Sequence, residues 1–304
     1  MKRNLPTYAF ALLSLCYLAL SILQPADPTV LEHYHVSQLQ LRIIDASILL
    51  PLQIIWVVAL VGAVRFKDYA KVIHTSKEGG AFTLLARGLM VLVYGLPISG
   101  IIASLFSYLN LRHPDLLPTA IITRNYTNLI LALLPFFFLA SGARLLVLSS
   151  RRSEGYQPAL PGFIAPIIIL MNTSFTWLVM TSATNHQSGQ NAYYLPNWLI
   201  ASTLVVPYIV TWVWGILATY YLYWYKAKLR GTIYKQAFGD IANGIAVVTG
   251  ISVFIQFLST ISTQLNALQL PRILALIYFL VALYAVGFVY IARGSTKLKR
   301  IEEA

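Results

Sequence analysis

Three groups of side chains in this sequence have the types and spacing to do chemistry. The first is a histidine pair, Glu32-His33-Tyr34-His35, with Asp27 and Asp45 on either side. In an extended strand alternate side chains share a face, so His33 and His35 could bind one metal ion there. No cysteine or further acidic cluster joins them, and such pairs are common in ordinary loops. The reading therefore assigns no metal and no other cofactor.

The second group is polar but uncharged. Thr249, Ser252, Gln256, Ser259 and Thr260 follow one another at spacings of mostly three and four, which puts them on one face of a helix. Asn172 and Gln53 lie in other apolar runs, and Pro51 and Pro207 each precede a tryptophan, Trp56 and Trp212, by five residues. Hydrogen bonding is the chemistry available, either between helices or to a solute. A proline frees a backbone carbonyl and kinks a membrane helix, so each tryptophan fills the space the kink opens or walls a cavity. The candidate binding set is Gln53, Trp56, Asn172, Trp212, Thr249, Ser252 and Gln256.

The third group is cationic: Lys67, Lys71, Arg144, Lys226, Lys228 and Arg230, each at or near the end of an apolar run. Cations placed there meet anionic lipid headgroups, gaining about 1 kcal/mol each. The segment Arg65–His74 alternates cations with Phe66, Tyr69, Val72 and Ile73, a pattern that suits a segment lying in the headgroup layer.

What is missing narrows the function further. The chain has no H-E-x-x-H, no G-x-S-x-G, no P-loop and no zinc spacing. Asp45 and Asp240 stand at the ends of apolar runs, so no carboxylate is available at mid-membrane for protons or Na⁺. No histidine lies within a span to ligate haem, and no lysine lies deep in the last two runs to form a Schiff base. The remaining candidate for enzyme chemistry, on lipid, is the His33/His35 loop, so the reading leans away from an enzyme.

These groups must be positioned by membrane helices. Of 304 residues 58% are hydrophobic and only 11% charged, against roughly 25% charged in soluble domains. A spanning helix needs about twenty mainly apolar residues, and eight stretches qualify: Thr7–Leu23, Ala46–Val64, Leu85–Tyr108, Tyr126–Leu148, Pro158–Met180, Leu195–Tyr225, Ile241–Ser262 and Arg272–Ala292. The first, behind Lys2 and Arg3 and with no cleavage site after it, reads as a retained signal anchor. Cys16 lies within it, so no disulfide framework is expected.

Charge orients the spans. Eighteen of the 22 Lys and Arg fall on one side in strict alternation, leaving Arg42, Arg112, Arg124 and Arg272 on the other. By the positive-inside rule both termini are cytoplasmic, in a membrane expected to be a prokaryotic cytoplasmic membrane. This distribution also accounts for the net charge of +12 without nucleic acid. The sequon Asn125-Tyr126-Thr127 falls on the outer side, close to the membrane boundary.

The eight spans resolve into two sets of four. Ile48–Leu105 recurs without a gap as Leu204–Ile261: Pro51, Trp56, Val57, Tyr69, Ala81, Phe82, Ala86, Gly88 and Val91 match Pro207, Trp212, Val213, Tyr225, Ala237, Phe238, Ala242, Gly244 and Val247, all 156 residues on. The fourth and eighth spans align through Ile130–Leu133 and Ile273–Leu276, 143 apart. The expected fold is an all-α integral membrane protein with eight transmembrane helices in a parallel 4+4 repeat, residues 1–152 and 153–304 forming the halves. Its expected function is non-enzymatic: binding or conducting a small neutral or amphiphilic molecule where the halves meet, without buried charge. The alternative is a structural or assembly subunit of a membrane complex. Expected partners are the bilayer with anionic lipid at the cytoplasmic face, and a further membrane protein or a second copy of the chain.

Overall fold

The computed structural model describes residues 5–23, 28–76, 78–112, 117–150, 206–229, 231–260 and 270–303. These form eight α-helices and no strand: α1 (Leu5–Leu23), α2 (Pro28–Tyr34), α3 (Gln38–Val72), α4 (Gly79–Arg112), α5 (Leu117–Ser150), α6 (Val206–Lys228), α7 (Thr232–Thr260) and α8 (Leu270–Glu303). Five of them are long and apolar enough to cross a membrane, over Gln38–Thr75, Gly79–Phe106, Leu133–Ser150, Ile233–Phe254 and Leu270–Arg300. The span expected at Pro158–Met180 lies outside the described residues.

The helices overrun the apolar stretches that announced them. At 1.5 Å per residue the 35 residues of α3 extend about 52 Å, well beyond the roughly 30 Å of hydrocarbon. Hydropathy marks only the part in contact with lipid, and no proline or glycine between Val64 and Val72 stops the chain from continuing as helix. Arg65–Val72 is therefore the last two turns of α3. The outer loops expected at 24–45 and 110–125 are likewise largely helical, and the sequon sits within α5.

Local chemistry sets where α3 begins and ends. Ser37 caps its start in a reciprocal box with Gln40: the Gln40 N–H donates to Ser37 Oγ at 3.3 Å and the Ser37 N–H to Gln40 Oε1 at 2.8 Å. At its far end a 3₁₀ turn, Ile73–Thr75, reverses the chain into α4. A Cβ on Gly79 would fall 2.3 Å from the His74 carbonyl oxygen, so this reversal admits only glycine.

Six helices close a ring. α3 packs on α4, α4 on α5, α5 on α6, α6 on α7, α7 on α8 and α8 back on α3, with α1 applied to α4 and α3 from one side. The rings of Phe10 and Tyr94 meet edge to face at 5.8 Å, and the Tyr17 ring lies on Gly100, where a Cβ would come within 2.6 Å of it. The face of α3 that carries Leu50, Ile54, Val57 and Val61 is exposed, a helical stripe that suits lipid and not water. Ahead of Arg65, the exposed apolar residues of α3 run from Leu39 to Val61, about 33 Å, close to one bilayer core, and exposed Val72 follows beyond the cations.

Glycines set the tightest approaches in the ring, and they occur in pairs. A Cβ on Gly88 (α4) would lie 2.9 Å from the Pro135 carbonyl of α5, and one on Gly244 (α7) 2.6 Å from the Gly287 carbonyl of α8. In return, a Cβ on Gly142 (α5) would meet Ala81 O of α4 at 2.9 Å, and one on Gly294 (α8) would meet Ala237 O of α7 at 2.5 Å. Ala81 and Ala237 are 156 apart, whereas Gly142 and Gly294 are 152 apart, as are the buried pairs Phe136/Phe288 and Leu146/Leu298. These α5 and α8 positions are 152 apart, whereas Ile130–Leu133 and Ile273–Leu276 are 143 apart.

Candidate functional site

The ends of the helices gather the basic residues at one end of the ring. Arg65 on α3 donates to the Thr296 hydroxyl on α8, Lys228 on α6 reaches the Ser150 carbonyl that ends α5 at 3.5 Å, and Lys297 on α8 pairs with Asp240 on α7 at 2.8 Å. Arg42 is at the opposite end, donating to the Ile22 carbonyl of α1 at 3.2 Å.

Within the basic end lies a vestibule of about 490 Å³, lined by Tyr69, Ile73, Ser76, Glu78, Phe82, Ser149, Tyr225, Leu229, Tyr234 and Phe238. Eight of these ten form pairs 156 residues apart: Tyr69/Tyr225, Ile73/Leu229, Glu78/Tyr234 and Phe82/Phe238. Tyr69 stands edge to face with Phe82 at 5.5 Å, Tyr225 stands edge to face with Phe238 at 5.0 Å, and the two phenylalanines meet at 5.9 Å. Both phenylalanines are only 1% exposed, so they close the floor.

The polar groups of the vestibule do not follow the 156-residue pairing of its apolar walls. Tyr225 donates its hydroxyl to Glu78 Oε2 at 2.8 Å, while position 234 holds a tyrosine where Glu78 has its counterpart. Among the described residues no cation lies within ion-pair distance of Glu78. The vestibule therefore presents aromatic faces, hydroxyls and one carboxylate, which suits an apolar body with a hydrogen-bond-donating head. Glu78 is partly exposed and stands in the turn between α3 and α4. No sequence feature singles out Glu78, because its place in the vestibule wall depends on the α3–α4 turn meeting α6 and α7.

The expected binding residues are placed elsewhere. Trp56 is buried against α1, with its ring 5.4 Å from Tyr17. Trp212 is also buried, on α6. Gln53 buries its amide nitrogen without a hydrogen-bond partner among the described residues. Thr249 donates to the Ile245 carbonyl at 2.7 Å and fills the space over Gly215, whose Cβ would come 2.2 Å from its methyl group. Ser252 pairs with the Tyr284 hydroxyl of α8 at 3.3 Å. The stripe is thus spent on helix contacts at Thr249 and Ser252. Gln256 lies on α7, and Asn172 lies outside the described residues.

The cations divide in a similar way. Lys226 lies 5.2 Å from the centre of the Tyr223 ring and Lys228 3.9 Å from that of Trp224, so both are engaged within the protein. Lys71 pairs with Asp68 at 3.3 Å, Arg144 is exposed on α5, and Lys67 lines a surface groove. Arg230 lies outside the described residues. The metal geometry considered for His33 and His35 is absent: His33 is on α2, His35 turns the chain at φ 50°, and no group of three metal-ligating side chains occurs among the described residues.

Comparison with known families, with curated proteins and with solved structures finds no match for this chain.

Proposed function

We propose that the chain is a non-enzymatic, multi-pass membrane protein built from two repeated halves, residues 1–152 and 153–304, that binds a small amphiphilic molecule where the halves meet. The vestibule carries this reading, because four wall pairs related by one sequence offset surround one cavity. The order of helices around the ring supports the repeat: α3, α4 and α5 are followed by α6, α7 and α8 with equivalent neighbours. An approximate two-fold axis then passes between Phe82 and Phe238. Positive-inside topology puts the mouth of the vestibule, and both termini, on the cytoplasmic side.

The ligand enters with its donor toward Glu78 and its apolar body against Tyr69, Tyr225 and the paired phenylalanines. Passage across the membrane would require Phe82 and Phe238 to part, so binding is the function this conformation supports. Cryo-electron microscopy of the full chain, extracted with its native lipid, tests the proposal. Ordered non-protein density bounded by Tyr69, Tyr225 and the phenylalanines is expected, and Ser149→Trp should displace it from the vestibule wall. A vestibule without such density, or density that the substitution leaves in place, would overturn the reading.

A further inference from the structure

A second cavity, of about 390 Å³, opens on the outside of the first half between α3, α4 and α5. Lys67, Lys71, His74 and Arg87 form its rim, and Met90 and Phe138 lie in its apolar floor. Among the described residues neither Lys67 nor Arg87 has an ion-pair partner, and the adjacent carboxylate, Asp68, pairs with Lys71 at 3.3 Å. Beyond the rim the exposed side chains of α5, Leu134 and Phe137, belong to the apolar outer surface of the bundle.

The second half carries the corresponding cleft in a different state. Ala70, Thr83 and Arg87 have counterparts 156 residues on in Lys226, Gly239 and Asn243, all of which line a cleft between α6, α7 and α8. There the protein supplies its own anion: Asp240 takes Lys297 at 2.8 Å and Arg293 at 3.4 Å. Position 84, the counterpart of Asp240, is leucine. The first-half groove thus keeps its cations, lacks the internal acid and has an apolar floor where its counterpart is polar.

We infer that the first-half groove is a site for one anionic phospholipid, its phosphate held by Lys67 and Arg87 and its first acyl carbons lying on Met90 and Phe138. Charge complementarity selects the headgroup, and the apolar floor selects a molecule with a tail. This site is separate from the vestibule, and either can fail without the other.

The test is native mass spectrometry of the full chain in mild detergent, titrated in parallel with phosphatidylglycerol, phosphatidylcholine and glycerol 3-phosphate. One phosphatidylglycerol should be retained at least tenfold more tightly than either of the others. Lys67→Gln with Arg87→Gln should lose that preference, Lys67→Arg with Arg87→Lys should keep most of it, and Lys226→Gln, in the self-neutralised cleft, should leave it unchanged. Melting temperatures of all variants establish that they are folded. Equal retention of the two lipids overturns the inference. So does glycerol 3-phosphate binding as tightly as the lipid, which would mark a soluble-phosphate site, or a Lys226→Gln loss as large as that of the double variant, which would mark a diffuse basic surface.

Discussion

At the scale of single residues, glycine carries more of this fold than any charged side chain. Gly142 lies against the backbone of α4, so Gly142→Ala drives a methyl group toward Ala81 O, which cannot move aside as a side chain would. The expected cost is about 1–3 kcal/mol, as for other overpacked sites. Gly250 in the middle of α7 has no neighbour among the described residues where a Cβ would go, so Gly250→Ala should be neutral or stabilise by up to about 1 kcal/mol through helix propensity. Melting temperatures in one detergent compare the two; equal effects would mean that the α4–α5 approach is looser than described. Gly142 was not singled out in the sequence, because a tight backbone approach depends on a partner helix that no local spacing reveals. Glu78 was missed for the same reason.

Helices show both what a sequence makes legible and what it does not. Apolar runs and the alternation of cations located α1, α3, α4, α5, α6, α7 and α8, since lipid contact and headgroup contact are properties of a segment by itself. Helix ends were less legible: beyond the hydrocarbon a charged residue is as compatible with helix as with loop, and hydropathy falls either way. Neighbours were illegible for Trp56, whose ring lies against Tyr17 of α1. The closure of the ring is likewise non-local, and it can be tested at one seam. A Cβ on Gly62 would be 2.9 Å from Ala292 Cα and 3.2 Å from its Cβ, so a disulfide, with its Cβ atoms roughly 3.8 Å apart, forms once α3 and α8 part by about half an ångström. With Cys16 replaced by Ala, Gly62→Cys with Ala292→Cys should form an intramolecular disulfide under mild oxidation in membranes. Persistent free thiols at both positions would show that α8 does not return to α3.

For the molecule as a whole, the basic end and the opposite end differ in charge, and α3 carries an exposed apolar stripe between them. Leu39 and Val61 mark the two edges of that stripe, with Arg65 and Lys67 following immediately. If the positive end faces the cytoplasm, a cysteine at Lys299 will be protected from an impermeant thiol reagent in intact cells, whereas one at Glu32 will be labelled, both in a Cys16→Ala background. Labelling in the reverse pattern would invert the proposed orientation and turn the vestibule outward.

Phe82 against Phe238 has a consequence for how such a molecule can change over generations. In a symmetric dimer of identical chains, any replacement at the axis happens twice, and the aperture jumps by two side chains at once. Here the two positions are encoded separately in one chain. The floor of the vestibule can therefore be narrowed or widened one blade at a time, and a half-sized step, leucine facing phenylalanine for example, is open to this chain where a homodimer would have none.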